Sequence, residues 1–357
     1  MNRARIRDLG ITPGVLPTGP NNAITDVPGV LVGQVSVVHD TPSVARTGIT
    51  IVAPRDGAVG RDHAFAGFHR FNGCGEMTGV QWLEEVGLLT SAIALTNTHE
   101  VGMVRDALAA YSFAHGGTGP FYLPVVTETY DGWLSELGPH LTPEHVSQAM
   151  ADLRSGKVDE GDVGGGTGMT CHDFKGGIGT ASRRVETPYG TYMLGALVQA
   201  NYGERAQLRI DGVPVGREIG YDQVPSPFQV PAAASSIIVI VATDAPLLAD
   251  QCKRLAQRAT AGLARVGGVG YNTSGDLFLA FATGQHVPAR AEGPIPLAPM
   301  LPANALNRFF EATAEAVEES ILNALAAADS MTGRDGHTAY ALPLDEVRRV
   351  MAKYRNI

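Results

Sequence analysis

Two adjacent serines, Ser235 and Ser236, stand in "AAASSIIVIVATDAPL" between a run of small residues and a run of β-branched ones. Hydroxyls commonly begin strands, and a serine is a weak nucleophile until a base activates it. A sharper reading is that the bond before one serine is cut by that serine's own hydroxyl. The α-amino group released there, with an ordinary pKa near ~8, then acts as general base, so one residue supplies both nucleophile and base. The small side chains of Ala232–Ala234 leave room for a tetrahedral intermediate and a distorted peptide bond.

Other residues can support such chemistry. Ser274 and Asp276 are two apart, so on a strand both project to one face, separated by a glycine that leaves space above it. They can orient a proton, or they can be an ordinary strand-start turn. Asn201 can donate its amide to a developing oxyanion; an Asn before Tyr-Gly is also a common turn residue. Glu128 and Tyr130 in "VVTETYDGWL" share a strand face if the strand runs through both. They then suit a substrate ammonium and carbonyl, or else form an exposed edge pair.

Some tempting patterns lead elsewhere. Asp162–Arg183 is glycine-rich, yet no Gly-Lys-Ser/Thr follows and no G-x-G-x-x-G opens a helix, so tight turns explain the glycines better than phosphate binding. In Cys171-His172-Asp173, neighbours on a strand face opposite ways and form no dyad with each other. His39, His63, His69 and His99 show no metal-ligand spacing, and no metal is expected.

Strands and helices must hold these residues in place. Val30–Val38, Gly48–Val52 and Ser91–Thr96 read as strands, interleaved with helical patterns at Gly75–Leu88 and Val101–His115. "TYMLGALVQANYG" and "RAQLRIDGVPV" read as paired strands around an Asp211-Gly212 turn, leaving Asn201 at a strand end. A loop over Asp222–Ser235 precedes the strand that the serines begin. A helix follows, with Asp244 as N-cap and Leu248, Cys252, Leu255, Ala259 and Leu263 at helical spacing. Ser274–Thr283 is the next strand, a long helix covers Ala303–Ala327, and a last helix starts near Asp345. This alternation predicts an α/β or layered α+β fold.

Composition narrows the partners. The 357 residues fit one large domain or two medium ones. A formal net charge of −9 disfavours nucleic acid and anionic membrane as partners and favours small molecules or peptides. No apolar segment follows the N-terminal arginines, and the longest apolar run, Ile237–Ala242, is too short to span a bilayer. Three scattered cysteines, Cys74, Cys171 and Cys252, suit a reducing cytoplasm without structural disulfides.

The stretches "FNGCGEMTG", "LTNTHEVG", "ETYDG", "GGGTGMTCHDFKGGIGTASR", "LVQANYG", "SSIIVIVATDAPL", "SGDLFLAF" and "MTGRDGH", in that order, resemble the L-aminopeptidase D-Ala-esterase/amidase and β-peptidyl aminopeptidase family. The resemblance runs from about Ile6 to Tyr354. It implies a self-processing hydrolase with an α/β/β/α sandwich like that of N-terminal nucleophile hydrolases, without cofactor, assembled into homo-oligomers of α/β pairs. The whole chain, 1–357, is then one domain cut into an α polypeptide, 1–235, and a β polypeptide, 236–357.

Carried over by position, Ser236 matches the nucleophile, Asn201 the oxyanion donor, and Ser274 with Asp276 the Ser-Gly-acid pair. Glu128 and Tyr130 match the part of the pocket that meets the substrate's free amine. The family usually has glycine before the nucleophile, whereas this chain has Ser235, so the scissile bond is Ser235–Ser236 or Ala234–Ser235. The expected activity is release of N-terminal L-, D-Ala-type or β-amino acids from peptides, amides or esters. The rival readings are an acyltransferase resembling ornithine acetyltransferase, which uses threonine instead, and a non-catalytic relative that binds small molecules.

Overall fold

The computed structural model describes residues 3–116, 122–228 and 235–355. In chain order its strands are β1 Leu31–His39, β2 Ala45–Ala53, β3 Asp62–Gly73, β4 Leu88–Leu89, β5 Ile93–Asn97, β6 Val125–Thr129, β7 Thr170–Cys171, β8 Phe174–Lys175, β9 Gly177–Thr187, β10 Gly190–Asn201, β11 Ser235–Thr243, β12 Ser274–Pro288, β13 Met331–Thr332 and β14 Thr338–Ala339. Its α-helices are α1 Val80–Val86, α2 Val101–Ala114, α3 Pro143–Ala151, α4 Val215–Glu218, α5 Ala249–Val266, α6 Leu306–Ala327 and α7 Leu344–Arg355.

One sheet has the order β1-β2-β5-β6 and the other β4-β3-β12-β11-β10-β9. Side-chain alternation sorts the layers. Ile238, Ile240 and Ala242 of β11 meet Val52, Ile93 and Leu95 of the other sheet. Ile237, Val239 and Val241 instead pack with Leu255 and Ala259 of α5 and Val317 of α6. Outside the smaller sheet, Ile49, Ile51 and Ala94 lie against Val104 and Leu108 of α2 and Val146 of α3. The result is the expected α/β/β/α order. Strand β11 reads as an unbroken apolar run because both its faces are buried and it pairs in parallel with β12 across the α5 crossover.

A buried ionic clasp joins the first part of the chain to α6. The Arg183 guanidinium on β9 pairs with Glu315 and Glu319, each at 2.8 Å, and Arg7 pairs with Glu319 at 2.6 Å.

Several expected elements are corrected. The helix read over Gly75–Leu88 shrinks to α1, because Gly79 at φ 75° starts it in a left-handed conformation and residues 75–79 turn toward the other sheet. "RAQLRIDGVPV" is not a strand. It is a 3-10 turn at Arg205–Gln207 followed by a tight turn at Asp211-Gly212, closed by a single Ile210–Val213 bridge. The places beside β10 are taken by β9 and β11. Asp244 does not cap α5; its carboxylate accepts the Met193 N–H at 2.7 Å, and the helix starts at Ala249. A 3-10 turn over Ala303–Ala305 precedes α6. The loop read at Asp222–Ser235 is described as far as Phe228, and Ala232–Ala234 lie outside the described residues.

Candidate active site

Strand register brings the central residues together. Asn201, at the end of β10, pairs with Ser236, and Ser236 pairs with Gly275 of β12. All three face the layer between the sheets, at its open end, because Ile238 and Leu277 on the same faces belong to the inter-sheet core. Ser236 is only 3% exposed. Its Oγ donates to the Ser235 carbonyl oxygen at 2.6 Å, so the hydroxyl lies beside the carbonyl of the bond it would cut. The Gly275 N–H donates to the same Oγ at 3.3 Å. A Cβ on Gly275 would stand 2.9 Å from Ser236 Oγ and 2.4 Å from the Cys74 carbonyl oxygen, so no larger residue fits.

The Asn201 amide is held in one orientation. The Thr170 N–H donates to Oδ1 at 2.8 Å, and Nδ2 donates to the Tyr130 carbonyl oxygen at 3.0 Å. An amide nitrogen carries two N–H groups, so one remains for a developing oxyanion.

Glu128 reaches the same opening from β6, in the other sheet. Its Oε1 accepts the Glu76 N–H at 3.0 Å and its Oε2 accepts the Thr98 hydroxyl. Burial pushes its carboxyl above the ordinary value despite these two donors. Between Glu128 and Ser236 lies a floor without side chains: a Cβ on Gly75 would be 3.0 Å from Glu128 Oε1 and 3.3 Å from Gly275 Cα. Tyr130 falls one residue past β6 rather than on its face. Its ring lies over Gly132, where a Cβ would meet the hydroxyl at 2.3 Å.

Ser274 and Asp276 share a face, with Ser274 Oγ donating to Asp276 Oδ1 at 2.7 Å. That face is opposite Gly275, so the pair borders the backbone where β11 begins instead of sitting over the Ser236 hydroxyl. Asp276 Oδ2 has no hydrogen-bond partner among the described residues, and burial pushes the group up to about 6.

Cys171-His172-Asp173 forms the β7–β8 turn, with His172 at φ 49° and Asp173 at φ 59°. His172 Nδ1 lies 3.0 Å from the Glu204 carbonyl oxygen, and burial lowers its pKa to about 4. Sequence reasoning missed Asp131, a buried carboxyl pushed up to about 7 by desolvation, with one oxygen unpartnered among the described residues. It also missed Thr98 and Glu76 as holders of Glu128. Each lies inside a stretch that carried the resemblance, "ETYDG", "LTNTHEVG" or "FNGCGEMTG".

Residues 22–339 match the model of peptidase family S58. The chain belongs to peptidase family S58. Like its relatives, this S58 peptidase is a serine hydrolase with aminopeptidase activity. It is 45% identical to the β-peptidyl aminopeptidase BapA of Sphingosinicella microcystinivorans, over 99% of this chain and 93% of that one. The structure of a Burkholderia sp. β-aminopeptidase superposes with a TM-score of 0.92 at 48% identity, covering 98% of this chain and 99% of that one. The L-aminopeptidase D-Ala-esterase/amidase of Ochrobactrum anthropi, described as a prototype for the serine aminopeptidases and a new variant among the Ntn hydrolase fold, superposes at 0.89 with 39% identity, covering 98% of this chain and 99% of that one. Among the described residues no helix is long and apolar enough to cross a membrane. Nor does any group of three His, Cys, Asp or Glu side chains among them form a metal set.

Proposed function

We propose that this S58 peptidase cuts itself before Ser236 and then releases N-terminal residues, β-amino acids among them, from peptides, amides or esters. The observation that carries this reading is the cross-strand pair of Ser236 and Asn201, with Glu128 facing them across the bare Gly75–Gly275 floor.

In the cutting step, Ser236 Oγ adds to the Ser235 carbonyl carbon and the Ser235–Ser236 C–N bond breaks. The resulting ester is hydrolysed by water, leaving an α polypeptide, 1–235, and a β polypeptide, 236–357, as one folded domain. In turnover, Ser236 Oγ attacks the carbonyl of the substrate's N-terminal residue and its own α-amine takes the proton. The spare Asn201 N–H holds the oxyanion. The amine leaves with a proton, and water cleaves the acyl ester. Glu128 binds the substrate ammonium, Tyr130 borders it, and Ser274 with Asp276 positions the new N-terminus. Asp276 ionises only above about pH 6, so an anion facing the α-amine is available at neutral pH. The working form is a cytoplasmic homo-oligomer of α/β pairs acting on peptides or aminoacyl amides and esters, with no nucleic acid partner.

Denaturing intact-mass measurement tests this directly. Two polypeptides are expected, the smaller beginning SIIVIVATD. A smaller polypeptide beginning SSIIVIV moves the role to Ser235. Ser236→Ala is expected to stay uncut, folded and inactive; aminoacyl amide hydrolysis by that variant at the wild-type rate would rule the assignment out.

A further inference from the structure

We propose that Arg70 binds a carboxylate carried by the substrate's N-terminal residue, so that acidic N-terminal residues are released faster than their neutral isosteres. This rests on the roles given above to Ser236 and Glu128.

A cavity of about 420 Å³ opens beside the floor of the site, with Phe68, Arg70, Gly73, Gly75, Glu76 and Leu277 in its wall. Gly75 is common to both spaces. Its Cβ position is 3.0 Å from Glu128 Oε1, 3.3 Å from Gly275 Cα and 3.7 Å from Leu277 Cδ1. An N-terminal residue with its amine at Glu128 and its carbonyl at Ser236 lies across Gly75, and a substituent between those two groups has this cavity beside it. The leaving group extends the other way, beyond Ser236.

Arg70 is the basic side chain in that wall, and it is exposed. Among the described residues it has no ion-pair or hydrogen-bond partner. Gly73 keeps it so placed, since a Cβ there would press on Arg70 Cδ at 3.1 Å. Arg70 pairs with Leu277 on the inter-sheet face, two strands from Ser236. Arg70 is also two residues along from the level of Ser236, so at ~4.8 Å per strand and ~3.3 Å per residue the gap is about 12 Å, which an arginine and a short acidic substituent span together. Glu76, Glu128 and Asp131 around the opening are acids, and His99 lies against Tyr130 on the Glu128 side of it. A guanidinium with unspent donors in a fixed fork is therefore the local match for a carboxylate, as Glu128 is for the ammonium.

Hydrolysis of N-terminal Asp and Asn p-nitroanilides, and of their β-linked counterparts, tests this in wild type, Arg70→Gln and Arg70→Glu. Arg70→Gln is expected to lower the acidic-to-neutral ratio of kcat/KM about fivefold to tenfold while leaving the neutral rate within about twofold. Arg70→Glu is expected to lower the ratio further. An unchanged ratio, or equal losses on both substrates, overturns the proposal. So does an Arg70-dependent preference for a dipeptide over its C-terminal amide, which would put Arg70 on the leaving-group side. Failure of wild type to hydrolyse even the neutral substrate would instead sink the Ser236 reading, and this one with it.

Discussion

Arg183 and Asp276 both lie inside the protein on the helix-facing side of the same six-stranded sheet, in opposite surroundings. Around Arg183 the charges are matched. Burial alone would raise Glu319, but the Arg7 hydrogen bond and the Arg183 charge outweigh it and leave its carboxyl below the ordinary value. Around the candidate site Glu76, Glu128, Asp131 and Asp276 form no ion pair among the described residues. Burial pushes Asp276 up to about 6 and Asp131 up to about 7, and each keeps an oxygen without a partner among the described residues. Matched charges suit a region that holds the fold, whereas unspent hydrogen-bonding capacity suits a region that meets a ligand.

The largest effect that sharpens this contrast is expected at the clasp. Arg183→Met leaves Glu315 without a cation, held only by the Val15 and Leu16 N–H groups, and leaves Glu319 to Arg7 and Asn22, at a cost of about 3–5 kcal/mol. It is expected to lower the urea midpoint while the enzyme that remains folded keeps its kcat. A variant as stable as wild type would show that the clasp contributes nothing net.

Asn201→Ala is expected to do the reverse. If Asn201 holds the oxyanion as proposed, kcat falls by roughly 10²–10³, about 2.7–4 kcal/mol, against about 1–2 kcal/mol of stability for the hydrogen bonds lost to Thr170 and Tyr130. A rate within threefold of wild type would remove Asn201 from the chemistry.

The smallest test compares pH slopes in the uncut Ser236→Ala chain. Asp276 keeps its proton to about pH 6 when folded but only to about pH 4 when unfolded. The folded state thus binds more protons in between, and stability falls by on the order of 2 kcal/mol as pH rises through that window. Glu319 has the opposite sign: its contribution is present above the unfolded pKa and is lost as pH falls through the lowered folded value. Urea midpoints from pH 3 to 7 should rise at the neutral end for Asp276→Asn and fall there for Glu319→Gln. Parallel curves for both variants would erase the distinction between the two regions.

Features governed by short-range periodicity were legible in the sequence. Two-residue spacing put Ser274 and Asp276 on one face, and the β-branched run after Ser236 announced β11. Features that depend on strand order were not. The pairing of Asn201 with Ser236 requires β10 to lie beside β11, and neither residue's neighbours state that register. Glu128 arrives from the other sheet, and its approach depends on the absence of side chains at Gly75 and Gly275. The apolar spacing over Gly75–Leu88 imitated a helix through a segment that Gly79 forces into a turn. Leu208, Ile210 and Val213 looked like a strand because they are buried, yet the sheet has no room for them beside β10.

The sheet order β3-β12-β11-β10 bears on the proposed cut before Ser236. Strand β11 from Ser236 onward and all of β12 would belong to the piece that begins at Ser236, whereas β3 and β10, which flank them, would belong to the piece before it. Two such pieces would be interleaved like the fingers of clasped hands. The proposed cut would thus alter chain connectivity without creating a subunit that can leave, and a new N-terminus at Ser236 would stay at the centre of a sheet whose outer strands the other piece supplies.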